Sequence, residues 1–176
     1  MSIKNYIKAA RLRTLPLSIS GIILGSFLAL SAGFFDWDIF ILSILTTIGF
    51  QVISNFANDY GDGIKGTDTI RIGEERMVSS GKISPKQMKL AIIYTTIVTI
   101  IIAVMLIYKA FGSSNFGYSV LFFCLGIISV IAAVKYTVGG SAYGYSGFGD
   151  LFVFVFFWII KRIRKLFFIY KTSSFH

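Results

Sequence analysis

The sequence predicts an all-α, polytopic membrane helical bundle, and three observations predict it. Of 176 residues, 55% are hydrophobic and 14% charged, with a mean hydropathy of +0.76, outside the range of soluble domains. Four apolar stretches, at residues 15–35, 39–57, 90–108 and 118–134, approach or reach the about 20 residues that a helix needs to cross a bilayer. The basic residues gather in alternate connections between these stretches, as they do in polytopic chains. A fifth stretch, at 148–160, is too short to cross unless the residues after it extend the helix; counting it, the bundle has about five transmembrane segments.

Taken in order, the first stretch follows Lys4, Lys8, Arg11 and Arg13. It resembles a signal-peptide core but is longer than one and lacks a clear small-residue cleavage site, so it is read as a helix. The turn after it carries Asp36 and Asp38, and the turn after the third stretch carries Lys109 alone. The long connection between the second and third holds Lys65, Arg71, Arg76, Lys82, Lys86 and Lys89. The positive-inside rule therefore places the N-terminus and the 59–89 loop in the cytoplasm, in an integral inner (cytoplasmic) membrane protein. The net charge of +9 is accounted for by that placement, and no nucleic-acid partner is expected. Cys124 is the single cysteine, which excludes a disulfide framework and a cysteine-based metal site. If the fifth stretch crossed, Lys161, Arg162, Arg164, Lys165 and Lys171 would emerge on the wrong side.

Chemistry concentrates in the long connection, where five of the eight acidic residues lie between Asp59 and Glu75. At about 100° per residue, Gln51, Asn55, Asn58, Asp59 and Asp62 fall within an arc of roughly 100°, one polar stripe on the second helix. Polar groups at such a position normally face a cavity or the bundle interior, so an ion or substrate site is expected. Asn58 and Asp62 are one helical turn apart, and Gly61, Gly63 and Gly66 allow the chain to fold Asp68 back toward them. An amide oxygen and carboxylates suit Mg2+ bridged to substrate phosphates; the spacing does not follow the calcium loop of an EF-hand. Lys65, Arg71 and Arg76 follow at once, with Gly73 and Gly81 for turns, and supply forks and point charges for phosphate oxygens. Acids for a metal beside bases for phosphates is the pattern of a diphosphate leaving group.

The run Asn55-Phe-Ala-Asn-Asp-Tyr-Gly-Asp-Gly-Ile-Lys-Gly-Thr-Asp68, followed by Arg71-Ile-Gly, Arg76 and Gly81, resembles the first aspartate-rich motif of the intramembrane aromatic prenyltransferases. Within that superfamily it is most similar to the 1,4-dihydroxy-2-naphthoate polyprenyltransferases of menaquinone biosynthesis. Arg13-Thr-Leu-Pro16, and Tyr136-Thr137 through 143–154, resemble the same branch. The resemblance implies a fold of roughly nine helices around a cavity open to the cytoplasmic face. It implies Asn58, Asp62 and Asp68 as magnesium-diphosphate ligands, with Asp62 and Asp68 catalytic. It also implies Arg71 and Arg76, with Lys65, as phosphate contacts, and Tyr136 as a neighbour of the cavity. The implied partners are a polyprenyl diphosphate, 1,4-dihydroxy-2-naphthoate and the lipid bilayer. The implied reaction joins prenyl group to ring with loss of the ring carboxylate, giving demethylmenaquinol.

The family's second aspartate-rich motif has no counterpart in this sequence, and after Phe157 the likeness stops. Residues 1–157 are therefore expected to be the N-terminal part of a membrane prenyltransferase domain, and 158–176 an aberrant basic tail read out of frame. Three alternatives are weighed. A non-catalytic truncated remnant differs only by the missing motif. A CDP-alcohol phosphotransferase, another membrane lipid transferase, requires Asp-Gly-x-x-Ala-Arg, whereas Asp62-Gly63 is followed by Ile64-Lys65-Gly66-Thr67. A transporter would show an inverted repeat or paired broken helices, and neither is found.

Overall fold

A computed structural model describes residues 2–66, 75–112 and 115–138. Asp68, Arg71, the 143–154 loop, the expected fifth segment and the tail lie outside the described residues. Among those described, the chain is helical and contains no strand: α1 (Ile3–Ala10), a 3-10 turn (Leu12–Thr14), α2 (Leu15–Ser31), α3 (Trp37–Lys65), α4 (Pro85–Phe111) and α5 (Phe116–Thr137). Four stretches are long and apolar enough to cross a membrane: Ile3–Ser31, Trp37–Lys65, Pro85–Phe111 and Phe116–Tyr136.

The helix starts are written locally. Pro16 and Pro85 occupy the first turns of α2 and α4, where the missing N–H has no helical acceptor to lose. Asp36 caps α3, its carboxylate accepting from the N–H groups of Asp38 (2.8 Å) and Ile39 (3.1 Å). Ser84 and Gln87 form a reciprocal capping box on α4, with bonds of 3.3 and 3.0 Å, which satisfies two of the backbone donors left open at a helix start. One element is new relative to the sequence reading: residues 3–10 form a separate helix joined to α2 through Arg11, which sits at φ 50°.

Helix α3 is central and packs against α1, α2, α4 and α5. It runs antiparallel to α4: Lys109 near the end of α4 reaches Asp38 (2.6 Å) and Asp36 (3.7 Å) at the start of α3, while Met88 near the start of α4 joins Phe56 in the buried cluster. Where they approach in mid-membrane, a Cβ placed on Gly49 would lie 2.2 Å from Thr99 Oγ1, the small-residue contact that lets membrane helices pack closely. Phe111 stacks on Tyr118 and Phe122, so α5 turns back and its C-terminal end returns to the side of the α3 C-terminus. The two ends of the bundle are called below the loop end (N-terminus, residues 58–89, end of α5) and the turn end (Asp36, Asp38, Lys109).

Candidate functional site

Helix α3 exceeds what a bilayer requires. Its 29 residues extend about 43 Å at about 1.5 Å per residue, against a hydrocarbon core of about 30 Å. Residues 39–57 are the apolar part, so the surplus falls at the loop end, carrying Asn58, Asp59, Asp62 and Lys65. The second apolar stretch of the sequence thus continues as helix for eight further residues, from Asn58 to Lys65. Gly61 and Gly63 lie inside that helix, and the chain turns only at Gly66, which adopts φ 65°.

The polar stripe expected on α3 is divided among three tasks. Gln51 and Asn55 serve the junction of α1 and α2. The Asn55 amide donates to the Ala10 carbonyl (2.8 Å) and to Thr14 Oγ1 (3.2 Å), and the Gln51 amide donates to the same hydroxyl (3.2 Å) and accepts from Ser18 Oγ (2.5 Å). Ala10 ends α1, so Asn55 satisfies a carbonyl that the helix terminus leaves open. Asp59, 1% exposed, accepts from the backbone N–H groups of Met77 (3.0 Å) and Val78 (2.9 Å). A carboxylate can be kept in such a place because it is fully engaged by donors.

The third task falls to Asp62. By holding Met77 and Val78, Asp59 fixes the backbone next to Arg76, whose guanidinium pairs with the Asp62 carboxylate. The side chains of Arg76 and Asp62 are only 6% and 9% exposed. Gly63 makes the approach possible: a Cβ there would stand 2.5 Å from Val78 Cγ1 and 3.3 Å from the Ser79 nitrogen. The strand of loop is closed by Gly81 N–H to Val78 carbonyl (3.0 Å) and Ile83 N–H to Met77 carbonyl (2.9 Å), and Met77, Val78 and Ile83 pack on Phe56, Met88, Ala9 and Ala10.

Of the residues singled out from sequence, Asp62 and Arg76 are brought into contact. Asn58 is half-buried one turn before Asp62, Lys65 is exposed in the last turn of α3, and Tyr136 lies near the end of α5, which returns to the same end. Asp59 and Gly63 were missed as organisers of the site. A partial signal was available for Asp59: on the helical wheel Asn58 and Asp59 mark the two opposite edges of the stripe, about 100° apart, so they can face different neighbours. Outside the pair, the Lys82 ammonium, 2.5 Å from Glu75, holds that carboxyl below the usual range against the opposing effect of desolvation.

An amide oxygen and a carboxylate are donors of the type a hard divalent cation takes. Among the described residues no cluster of three or more His, Cys, Asp or Glu exists, so the protein offers there the Asn58 amide oxygen and the Asp62 carboxylate. Magnesium tolerates so few protein donors because it keeps waters and takes phosphate oxygens as ligands. The guanidinium beside Asp62 is a fork suited to those same oxygens.

A model of the UbiA prenyltransferase family matches residues 18–161. The chain is 40% identical over 153 residues to the 1,4-dihydroxy-2-naphthoate octaprenyltransferase of Escherichia coli (strain K12), a match covering 86% of this chain and 49% of the relative. It is 42% identical over 161 residues to the protein of the same name from Haemophilus influenzae, covering 90% and 52%. The Mycobacterium tuberculosis protein of that name is 33% identical over 156 residues, covering 89% and 51%. The chain spans about half the length of the curated relatives it matches. No solved structure matches it significantly. The motif on α3, the helices around it and these matches agree, and the chain belongs to the UbiA prenyltransferase family.

Proposed function

We propose that this chain serves the transfer of a polyprenyl group from a polyprenyl diphosphate to 1,4-dihydroxy-2-naphthoate, in menaquinone biosynthesis. The names of its relatives support the substrates, and the observation that carries the reading is the buried Asp62–Arg76 pair at the projecting end of α3. A carboxylate and a guanidinium held together there can part onto complementary targets: Asp62, with Asn58 and Asp68, onto a magnesium ion, and Arg76, with Arg71 and Lys65, onto diphosphate oxygens. When bound, magnesium would supply positive charge to the departing diphosphate.

The chemistry asked of the residues is electrostatic. As the allylic carbon–oxygen bond breaks, its electron pair leaves with the diphosphate, and Arg76 stabilises the charge that builds there. A ring carbon of the naphthoate bonds to the allylic carbon, and the ring carboxylate leaves as carbon dioxide with its electrons returning to the ring. The apolar helices shield the cation from water. Tyr136, at the same end, is assigned to the cavity rim. The loop end is placed in the cytoplasm of a cell with this protein in its inner membrane, on the strength of the basic residues there. Residues 1–157 are assigned to the prenyltransferase domain, and 158–176 to a separate basic tail.

The test is binding by the chain and turnover by a full-length version of it. In lipid nanodiscs the chain should bind a polyprenyl diphosphate with magnesium and lose it in EDTA or on Asp62→Asn, and in a full-length version the same substitution should abolish formation of prenylated naphthoquinol from 1,4-dihydroxy-2-naphthoate. Binding indifferent to both magnesium and Asp62→Asn would overturn the site. For orientation, Ser79→Cys and Asp38→Cys, each made with Cys124→Ala, should label from opposite sides of the membrane; labelling from one side would overturn the topology.

A further inference from the structure

The helices are bordered by different side chains at their two ends. At the turn end, Phe34 in the connection after α2, Trp37 at the start of α3, Tyr108 in the last turn of α4, and Phe116 and Tyr118 in the first turn of α5 are 54–78% exposed. At the loop end the exposed side chains include Lys4 and Lys8 of α1, Lys86 and Lys89 in the first turns of α4, and Lys135 in the last turn of α5. The aromatic end is also braced. Trp37 meets Phe35 and Phe40 edge-on, with ring centres 4.9 and 6.0 Å away, and Tyr118 stacks on Phe111 at 6.0 Å. Lys109 joins the end of α4 to the start of α3 through Asp38 and Asp36.

These two borders meet a bilayer differently. Tryptophan and tyrosine carry an apolar ring with a polar tip and sit where hydrocarbon gives way to headgroups. A short, stiff side chain held there fixes the depth of its backbone. Lysine bears its charge on a flexible four-carbon stem, so it reaches the same headgroups from a range of depths. From Trp37 to Asp62 a straight helix rises about 37 Å at about 1.5 Å per residue. With Trp37 at one edge of a hydrocarbon core of about 30 Å, and α3 along the bilayer normal, Asp62 stands about 7 Å beyond the other edge, at headgroup level.

We propose that the aromatic turn end docks on the boundary between hydrocarbon and headgroups as a fixed anchor, and that differences in bilayer thickness are taken up at the loop end. The height of the Asp62–Arg76 pair is then set from the opposite leaflet, a consequence that bears on the prenyl-transfer reading without resting on it. Trp37 and Trp158 are the two tryptophans of the chain, so Trp158→Phe leaves Trp37 as sole reporter. A fluorophore on Lys89→Cys, made with Cys124→Ala, reports the loop end. The full chain is reconstituted in dimyristoleoyl, dioleoyl and dierucoyl phosphatidylcholine, and each reporter is quenched by lipids spin-labelled at a shallow or a deep position. The ratio of shallow to deep quenching should stay constant at Trp37 and change severalfold at position 89 between the thinnest and the thickest bilayer. Phe34→Leu with Tyr108→Leu and Phe116→Leu, which leaves the Phe111–Tyr118 stack and the Lys109 pairs in place, should let the Trp37 ratio vary with thickness. A Trp37 ratio that varies in the parent as widely as that at position 89 would overturn the proposal. So would constancy at both positions, which would assign the adjustment to tilt of the bundle, and so would a Trp37 ratio that stays constant in the triple variant.

Discussion

The two ends of this bundle are built on different principles. At the loop end, Phe56, Met77, Val78, Ile83, Met88, Ala9 and Ala10 form a continuous buried cluster, and Asn55, Asp59, Asp62 and Arg76 are buried with it. At the turn end the helices are joined by exposed charges, Lys109 with Asp38 and Asp36, and by rings in contact, Phe35, Trp37 and Phe40 on one side and Phe111 with Phe122 on the other. The difference follows from how much chain leaves the apolar layer. Within hydrocarbon an apolar side chain gains nothing by leaving lipid for protein; water makes burial favourable at both ends, but only the loop end carries enough chain there, the last turns of α3 and the loop after Glu75, to build a core. That core holds the side chains of Asn55, Asp59, Asp62 and Arg76 in place.

If that contrast is right, the largest effect comes from splitting the buried pair. Asp62→Ala removes the carboxylate paired with the Arg76 guanidinium, whose side chain is only 6% exposed, and loss of one partner of a buried pair costs about 3–5 kcal/mol. Replacing both, Asp62→Leu with Arg76→Met, should restore most of that stability, since a hydrophobic pair is often no worse than a buried ionic one. It should not restore diphosphate binding. Denaturant titration of the whole chain in mixed micelles checks stability and nanodisc binding checks function; recovery of both would mean the pair is structural only. Next in size is Asp59→Ala, which leaves the Met77 and Val78 N–H groups without their acceptor. At about 1–3 kcal/mol for each stranded group, roughly 3 kcal/mol is expected in the same titration, and diphosphate binding should fall as well because Arg76 loses its footing.

The bundle and the place of its chemistry were legible in the amino acids; the division of labour inside the stripe was not. Hydropathy marks α2 to α5 because lipid demands apolar runs of a fixed length. It stops at Ala57, but the polar stripe already carried the second helix to Asp62, and α3 runs on to Lys65; what neither signal showed is the contacts of Asp59 and Gly63 with residues 77–79, far away in sequence. Asn55 looked like a site residue because an amide in an apolar helix commonly is; its partners, Ala10 and Thr14, become visible only once α1 is recognised as a helix. Helix α1 escaped because its eight residues, Ile3–Ala10, mix two lysines and an asparagine with apolar residues and are too short for a hydropathy signal. Asp62 and Arg76 were legible as chemistry, from residue type, but their direct pairing required the fold of the intervening loop.

A gentler probe uses glycines, one from each kind of surroundings. Gly63→Ala would press a methyl group against Val78 at 2.5 Å and the Ser79 backbone at 3.3 Å, and overpacking of this sort costs about 1–3 kcal/mol. Gly25→Ala, on α2 with nothing within 4 Å, should be neutral or stabilising by up to about 1 kcal/mol, the helix propensity difference. Melting of the two variants in the same detergent should separate them in opposite directions. Equal destabilisation would show that α2 is as tightly packed as the loop end and would remove the contrast.

The smallest effect is expected at the turn end, where Asp36 caps α3. Its carboxyl is held below the ordinary 3.8, first by the Ile39 N–H and further by the Asp38 N–H and Lys109, with desolvation opposing them. The folded chain therefore prefers the ionised form. Its contribution is complete above the unfolded value, flat through neutral pH, and lost as pH falls through the lower folded value. Asp36→Asn keeps a side-chain oxygen for the cap and removes the charge, whereas Asp36→Ala removes both. At pH 7 the melting temperature should fall in the order wild type, Asn, Ala. The gap between wild type and Asn should close as pH falls through that lower folded value, when the native carboxyl is protonated too, and the gap between Asn and Ala should persist. A wild type to Asn gap that stays constant with pH would mean that the charge of Asp36 has no part in closing this end of the bundle, leaving the cap oxygen and the Phe35, Trp37 and Phe40 rings to do so.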